Sequence, residues 1–248
     1  MSTFEIIFSP TGGTEKVVKI ISENLNNDII KVDLCDFGAD FAKCKIRSDD
    51  IAVIAIPSFG GRAPAVAVKR LKQIKGNGAE CVLVCVYGNR AYEDTLAEME
   101  DAVKESGFKV KAAIAAVAQH SIFPQYATNR PDEDDEKQLA SFALKIKNSN
   151  NTFPKIPGNR PYKKAGGKGN VPMPTKECIS CGICAESCPV QAIDYKTFKA
   201  DAEKCISCMR CVKYCSNKSR VIDKQAAAIV ADAIKVACSE RKENELFL

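Results

Sequence analysis

Eight of the chain's thirteen cysteines fall into two copies of one spacing, each position recurring 27 residues later. The copies are Cys178-x2-Cys181-x2-Cys184-x3-Cys188 and Cys205-x2-Cys208-x2-Cys211-x3-Cys215. Three thiolates at i, i+3 and i+6 on one tight loop can wrap the corner of a metal–sulfur cube; a fourth must arrive from elsewhere to close it. Zinc more often takes separated C-x2-C pairs than three cysteines in seven residues. The spacing is one of iron–sulfur ligation. Residues 177–222 are too few for a large apolar core, so the segment is expected to be held together by its clusters. Thiols committed in this way imply a reducing, oxygen-poor, cytoplasmic setting. The other five (Cys35, Cys44, Cys81, Cys85 and Cys238) follow no framework spacing and read as ordinary buried thiols.

The first 150 residues alternate two signals. Short apolar runs at Phe4–Phe8, Ile29–Leu34, Ile51–Ile56, Cys81–Tyr87 and Val110–Ala118 predict strands buried on both faces of a parallel sheet. Amphipathic stretches at Glu15–Leu25, Ala63–Lys72, Tyr92–Ser106 and Glu133–Ile146 predict helices between them, the last starting at or near Asp132. This is the pattern of an α/β doubly wound sheet. Residues 39–50 carry no clear pattern. Between Pro154 and Lys176 the composition shifts to five prolines, four glycines and six basic residues without an acid. That predicts an extended linker, loose around Gly166-Gly167-Lys168-Gly169, with its cations solvated or attracting an acidic redox partner. Lys224–Glu240 reads as a terminal helix without chemistry of its own. The expected division is 1–152, linker 153–176, cysteine domain 177–222 and C-terminal helix 223–248.

The formal charge of +5 counts cysteines as neutral. Two clusters of about −2 each would bring the chain to about +1. No basic stripe with interleaved aromatics is present, which argues against nucleic acid. No apolar run suits a membrane span.

Directly after the first strand, Ser9-Pro10-Thr11-Gly12-Gly13-Thr14 opens a helix. Hydroxyls and unpaired amides at a helix N-terminus form an anion site. The loop fits neither G-x-x-x-x-G-K-[ST] nor G-x-G-x-x-G. Hydroxyl-x-Thr-Gly-x-Thr in this position resembles the phosphate loop of flavodoxins, which holds the FMN 5′-phosphate. In the flavodoxin-like order 2-1-3-4-5, a ligand binds at the carboxyl ends of the strands beside the switch between strands one and three. Two further loops are then expected at the flavin ring. One follows strand three, with Ser58, Phe59, Gly60, Gly61 and Arg62; there Phe59 would cover the ring and the Gly60-Gly61 peptide would turn toward it. The other follows strand four, with Tyr87, Gly88, Asn89, Tyr92 and Asp94.

Taken with the cysteine repeat, these loops resemble a family of anaerobic fusion proteins that join a flavodoxin domain to a two-cluster bacterial ferredoxin. The resemblance implies a five-stranded flavodoxin-like parallel sheet, a small α+β ferredoxin domain, one FMN and two [4Fe–4S] clusters. In such ferredoxins the fourth cysteine of each run binds the other cluster. One cluster would therefore take Cys178, Cys181, Cys184 and Cys215, and the other Cys205, Cys208, Cys211 and Cys188. Two departures stand out. The chain has no Trp to flank a flavin, and Cys215 precedes Ser216 where such runs usually continue with Pro, as Cys188-Pro189 does.

FMN exchanges one or two electrons, whereas each cluster passes one. The expected function is electron transfer between clusters and FMN, with redox proteins of ferredoxin or flavodoxin type as partners. The alternative is an FMN-dependent reductase of a small acceptor such as a quinone, nitro compound or flavin. His120, just past strand five, is a candidate proton donor or, equally, a residue that caps the strand end. Arg62 and Arg90 would steady an anion or sit in ion pairs.

Overall fold

The computed structural model describes residues 1–25, 28–150, 154–166 and 169–248. The expected boundary at 152/153 and the linker residues Gly167 and Lys168 lie outside them. The five apolar runs form parallel strands: β1 (Thr3–Ile7), β2 (Ile29–Asp33), β3 (Ile51–Pro57), β4 (Glu80–Tyr87) and β5 (Lys109–Val117). Their order is 2-1-3-4-5, so the chain reverses direction across the sheet between β1 and β3. This is the flavodoxin-like order.

Successive residues along a strand point to opposite faces, so each strand serves two apolar layers. On one face, α1 (Gly13–Leu25) and α4 (Glu133–Asn148) bury Val17, Val18, Ile21, Leu139 and Ile146 against Val53, Val84 and Ile114. On the other, α2 (Ala65–Leu71) and α3 (Thr95–Glu105) bury Leu71, Leu96 and Met99 against Ile6, Ile54 and Leu83. The strand β2 departs from the expectation of burial on both faces. It is an edge strand, with Ile30 42% exposed and Lys31 and Asp33 facing water. Residues 39–50 contain one 3-10 turn, Phe41–Lys43.

The cysteine segment is built from short pieces. The strand β6 (Met173–Pro174) pairs antiparallel with β7 (Arg220–Val221), and two single-turn helices, α5 (Ile183–Glu186) and α6 (Arg210–Lys213), follow the two cysteine loops. After them come α7 (Lys224–Ser239) and β8 (Glu245–Phe247).

The last strand corrects the five-stranded expectation. It pairs antiparallel with β5, Ala113 opposite Phe247 and Ala115 opposite Glu245, and makes a sixth strand. Without it β5 would be an open edge with unpaired backbone groups. Asn244 fixes the register. Its Oδ1 accepts from the Val117 amide at 2.9 Å, and its Nδ2 donates to Asp135 at 2.9 Å and Gln138 at 2.7 Å. Asp135 in turn pairs with the buried Arg130, which donates to the Lys242 carbonyl at 2.6 Å. Asp135 also closes a reciprocal cap with Asp132 at the start of α4. A three-residue strand holds because a buried polar network fastens it.

Replacing Asn244 with Ala leaves the Val117 amide and the Asp135 carboxylate short of a partner. The expected cost is about 1–3 kcal/mol of stability, read as a lowered midpoint in urea unfolding followed by far-ultraviolet circular dichroism.

Candidate functional site

A cavity of about 600 Å³ opens at the carboxyl ends of β1, β3, β4 and β5. The loop after β1 supplies Thr11, Gly13 and Thr14 to its wall. Ser9 does not face it: its hydroxyl accepts from the Glu15 amide at 3.0 Å and so caps the first turn of α1. Gly12 forms the turn itself. The amides of Gly13 and Thr14 have no backbone acceptor among the described residues. Free donors at the positive end of a 13-residue helix suit an anionic oxygen cluster.

The loop after β3 brings Ser58, Phe59, Gly60 and Arg62 to the cavity. Phe59 and Arg62 exchange backbone hydrogen bonds at 2.9 and 3.3 Å around Gly60 and Gly61, which sit at φ 62° and 86°. Only glycine takes two consecutive left-handed positions cheaply. Gly61 itself lies off the cavity, against Glu93. The Arg62 guanidinium grips Glu98 at 2.7 and 2.9 Å and lies 4.7 Å over the Tyr162 ring. It is therefore a neutralised wall residue.

After β4, Tyr87 and Gly88 line the cavity with Arg90. Three residues expected beside them turn elsewhere. Asn89 is buried and donates to the carbonyls of Cys238 at 2.9 Å and Glu240 at 2.7 Å, pinning the end of α7. Tyr92 packs edge-on against Tyr87 at 5.3 Å, and its hydroxyl is held protonated by burial and by the nearby Glu245 of β8. Asp94 accepts from Asn159 and from the Lys163 amide, each at 2.7 Å. All three serve tertiary contacts from distant parts of the chain. Those contacts left no trace in the local sequence.

His120 lines the cavity and lies against Gly88, where a Cβ would come within 2.6 Å of its ring. Its Nδ1 accepts from the amides of Ile122 and Phe123, both at 3.2 Å. Nδ1 is thus an acceptor, and the neutral ring carries its proton on Nε2. Burial, helped by the Arg90 cation, pushes its pKa down to about 4. The turn-holding role is the one the geometry displays.

Three segments beyond the α/β repeat complete the wall: Ala165, Gly166 and Gly169 of the linker, Cys205 to Cys208, and Val230 and Ile234 of α7. The terminal helix thus does take part in the site. Nor is the basic linker simply solvated. Arg160 pairs with Asp101 and Glu100, Lys163 pairs with Glu93, and Tyr162 bonds Asp101. The linker lies along the acidic side of α3.

The two cysteine loops repeat each other in backbone as well as sequence. Ser180 and Ser207 both sit at φ 54°, Gly182 and Met209 at 82° and 61°, and Gln191 and Lys218 at 50° and 52°. The Ala192 amide donates to Cys188 Sγ at 3.3 Å, as the Ser219 amide does to Cys215 Sγ at 3.2 Å. The structural repeat therefore keeps an offset of 27 throughout. Ala192-Ile193-Asp194 therefore corresponds to Ser219-Arg220-Val221, and not to Val221-Ile222-Asp223 two residues further on.

Cys188, Cys205, Cys208 and Cys211 line one small cavity together, with Ile206 and Met209. Burial pushes the free thiol of Cys208 up to about 12 and that of Cys211 up to about 11, so any metal bound by them would have to displace their protons. Among the described residues no group of His, Cys, Asp or Glu is placed to hold a single metal ion. A cube is held at four separate corners, which needs no such convergence. The two loops differ in surroundings. In the first, Ile179 is 64% exposed and Cys181 faces solvent; in the second, Ser207 and Cys208 are buried. Cys205 and Cys208 belong to the walls of both cavities.

Residues 177–220 match the family described as 4Fe-4S dicluster domain. No curated protein matches the chain. Among solved structures, the flavodoxin of Streptococcus pneumonia TIGR4 is 19% identical with a TM-score of 0.40, over 58% of this chain and 94% of that one. The two-electron reduced flavodoxin of Megasphaera elsdenii is 18% identical with a TM-score of 0.39, over 58% and 99%. The Fusobacterium nucleatum flavodoxin bound to flavin mononucleotide is 18% identical with a TM-score of 0.39, over 59% and 98%.

His120 supplies a pH test. Its pKa falls from 6.5 to about 4 on folding. The stability it contributes is fully present above pH 6.5 and is lost as pH drops from there toward 4. His120→Asn should flatten the fall in melting temperature between pH 7 and pH 5. An unchanged slope would show that the ring does not titrate in this way.

Proposed function

We propose that this chain, a flavodoxin-like domain joined to a 4Fe–4S dicluster domain, is an electron-transfer protein linking two [4Fe–4S] clusters to FMN. The observation that carries the reading is the shared wall: Cys205 and Cys208 border both the cysteine cavity and the large cavity at the strand ends. An insulated module would have no reason to press two cluster ligands against that cavity.

The residues fit both kinds of group. Cys188, Cys205, Cys208 and Cys211 surround one site, which supports the crossed ligand set in which Cys178, Cys181, Cys184 and Cys215 hold the other. For FMN, the free amides of Gly13 and Thr14 and the Thr11 and Thr14 side chains would hold the phosphate. Phe59 and Gly60 on one side and Tyr87 and Gly88 on the other would bound the ring. FMN supplies a carrier of one or two electrons, and a cluster supplies a carrier of one. The chain's own part is to position and to shield. Gly166, Gly169, Val230 and Ile234 add to the cavity wall. His120 presents an Nε2–H donor at neutral pH and serves as no acid there.

Exchange with a partner falls to the first loop. Its Cys181 is exposed beside Ile179, while the matching second loop is covered. That arrangement supports redox proteins as partners, with the first cluster as the outer one. The reductase reading draws on the apolar wall of Ile122, Phe123, Val230 and Ile234, which would suit a small aromatic acceptor such as a quinone, nitro compound or flavin. Among the described residues no helix is long and apolar enough to cross a membrane.

Anaerobic reconstitution should yield about eight irons per chain and one FMN. Cys205→Ala should lose about half the iron and weaken FMN retention, because that residue borders both sites. Cys178→Ala should lose iron while sparing FMN. Full iron in either variant would overturn the ligand sets, and no FMN uptake by the intact chain would sink the flavin assignment.

A further inference from the structure

The two halves of the cysteine repeat differ at one buried position. With the offset of 27, Ile193 in the first half corresponds to Arg220 in the second. Ile193 is 6% exposed and packs with Cys184, Cys188 and Cys211. Arg220 is 3% exposed in the same kind of place. An apolar side chain serves there once, so the fold itself does not demand a cation.

The arginine is held firmly. Its Nη1 donates to the Phe198 carbonyl at 2.6 Å and its Nη2 to the Pro172 carbonyl at 2.7 Å. Nη1 also donates to Cys184 Sγ at 3.6 Å, and the Arg220 cation opposes the upward push of burial on the Cys211 thiol. Among the described residues Nε is buried without a hydrogen-bond partner. Among the described residues no carboxylate pairs with it. An isolated buried charge costs several kcal/mol, so such a cation calls for counter-charge close by. Cys184 and Cys211 belong to different ligand sets, and each set with its cluster carries about −2 in the oxidised state.

We propose that Arg220 is a shared counter-cation of the two clusters, a positioning residue that raises both reduction potentials and lessens the repulsion between electrons held on them. The inference rests on the cluster assignment above. Reduction adds negative charge to each cluster, and a fixed cation in a region of low dielectric favours the more negative state. The consequence suits the two-carrier architecture: the pair of clusters can hold two electrons together, the number a flavin takes in full reduction.

The test is a redox titration followed by electron paramagnetic resonance on the reconstituted full chain, comparing wild type with Arg220→Gln, Arg220→Met and Arg220→Lys. Iron and sulfide content of the wild type comes first. If the wild type holds no clusters, the cluster assignment fails and Arg220 is not what failed. With clusters present, Gln and Met should each shift the reduction equilibria about tenfold toward the oxidised state, about 59 mV more negative for a one-electron couple. Lys should keep the potentials near wild type. Unchanged potentials in the neutral variants, or an equal shift in Lys, would overturn the proposal. If the neutral variants take up no clusters while Lys does, the cation serves assembly and the tuning role is refuted. Loss of clusters in all three variants would make Arg220 a fold-holding residue and would equally refute the tuning role.

Discussion

The loop from Cys205 to Cys208 is pressed against the carboxyl ends of the sheet, and most of the arrangement follows from that contact. Strand ends in a doubly wound sheet open a crevice because the connections leave in opposite directions at the switch between β1 and β3. Here a cysteine loop from another part of the chain fills one side of that crevice. Arg70 and Arg210 support the docking. Arg70 bridges the carbonyls of Leu34 and Pro189 at 2.7 Å each, and Arg210 reaches the Ser9 carbonyl at 3.4 Å, at the start of the loop after β1. The linker along α3 and the tail on β5 set how far the cysteine segment can move from the sheet. A segment with a small core of its own thereby gains a fixed seat.

The tail contributes more than a seat. The chain leaves the α/β unit after α4, forms the cysteine segment, and returns through α7 to add β8. The ends of that excursion are fastened at separate points, by Asp94 to the linker and by Asn89, Asn244 and Arg130 to the tail. Each fastening uses a polar side chain that is itself buried and has its hydrogen bonds made within the protein. Such contacts specify one geometry more than they add stability, since the same groups would be satisfied by water in the unfolded chain.

Much of this was legible in the sequence. Apolar runs of strand length separated by amphipathic stretches located all five parallel strands within a residue or two, and the hydroxyls and glycines after β1 marked a loop that borders the cavity. Both signals are local, and local periodicity is what a sequence displays. Asn89, Tyr92 and Asp94 show the limit. They lie in the expected loop after β4, yet they reach away to α7, β8 and the linker, partners 65 to 153 residues distant along the chain. The three-residue β8 had too little pattern to read. Arg220 was hidden for another reason. Ile-Asp recurs at 193–194 and 222–223, two residues out of step with the cysteine offset of 27, and the backbone angles set Arg220 opposite Ile193.

If the cavity at the strand ends and the clusters form one electron path, electrons must reach the flavin through the clusters. The most direct measurement is anaerobic stopped-flow absorbance of the loaded chain, mixed with a reduced protein donor too large to enter the cavity. Bleaching of the clusters should precede reduction of the flavin, with the flavin drawing on electrons already in the clusters. Clusters that become reduced while the flavin stays oxidised, or a flavin reduced before them, would contradict the account.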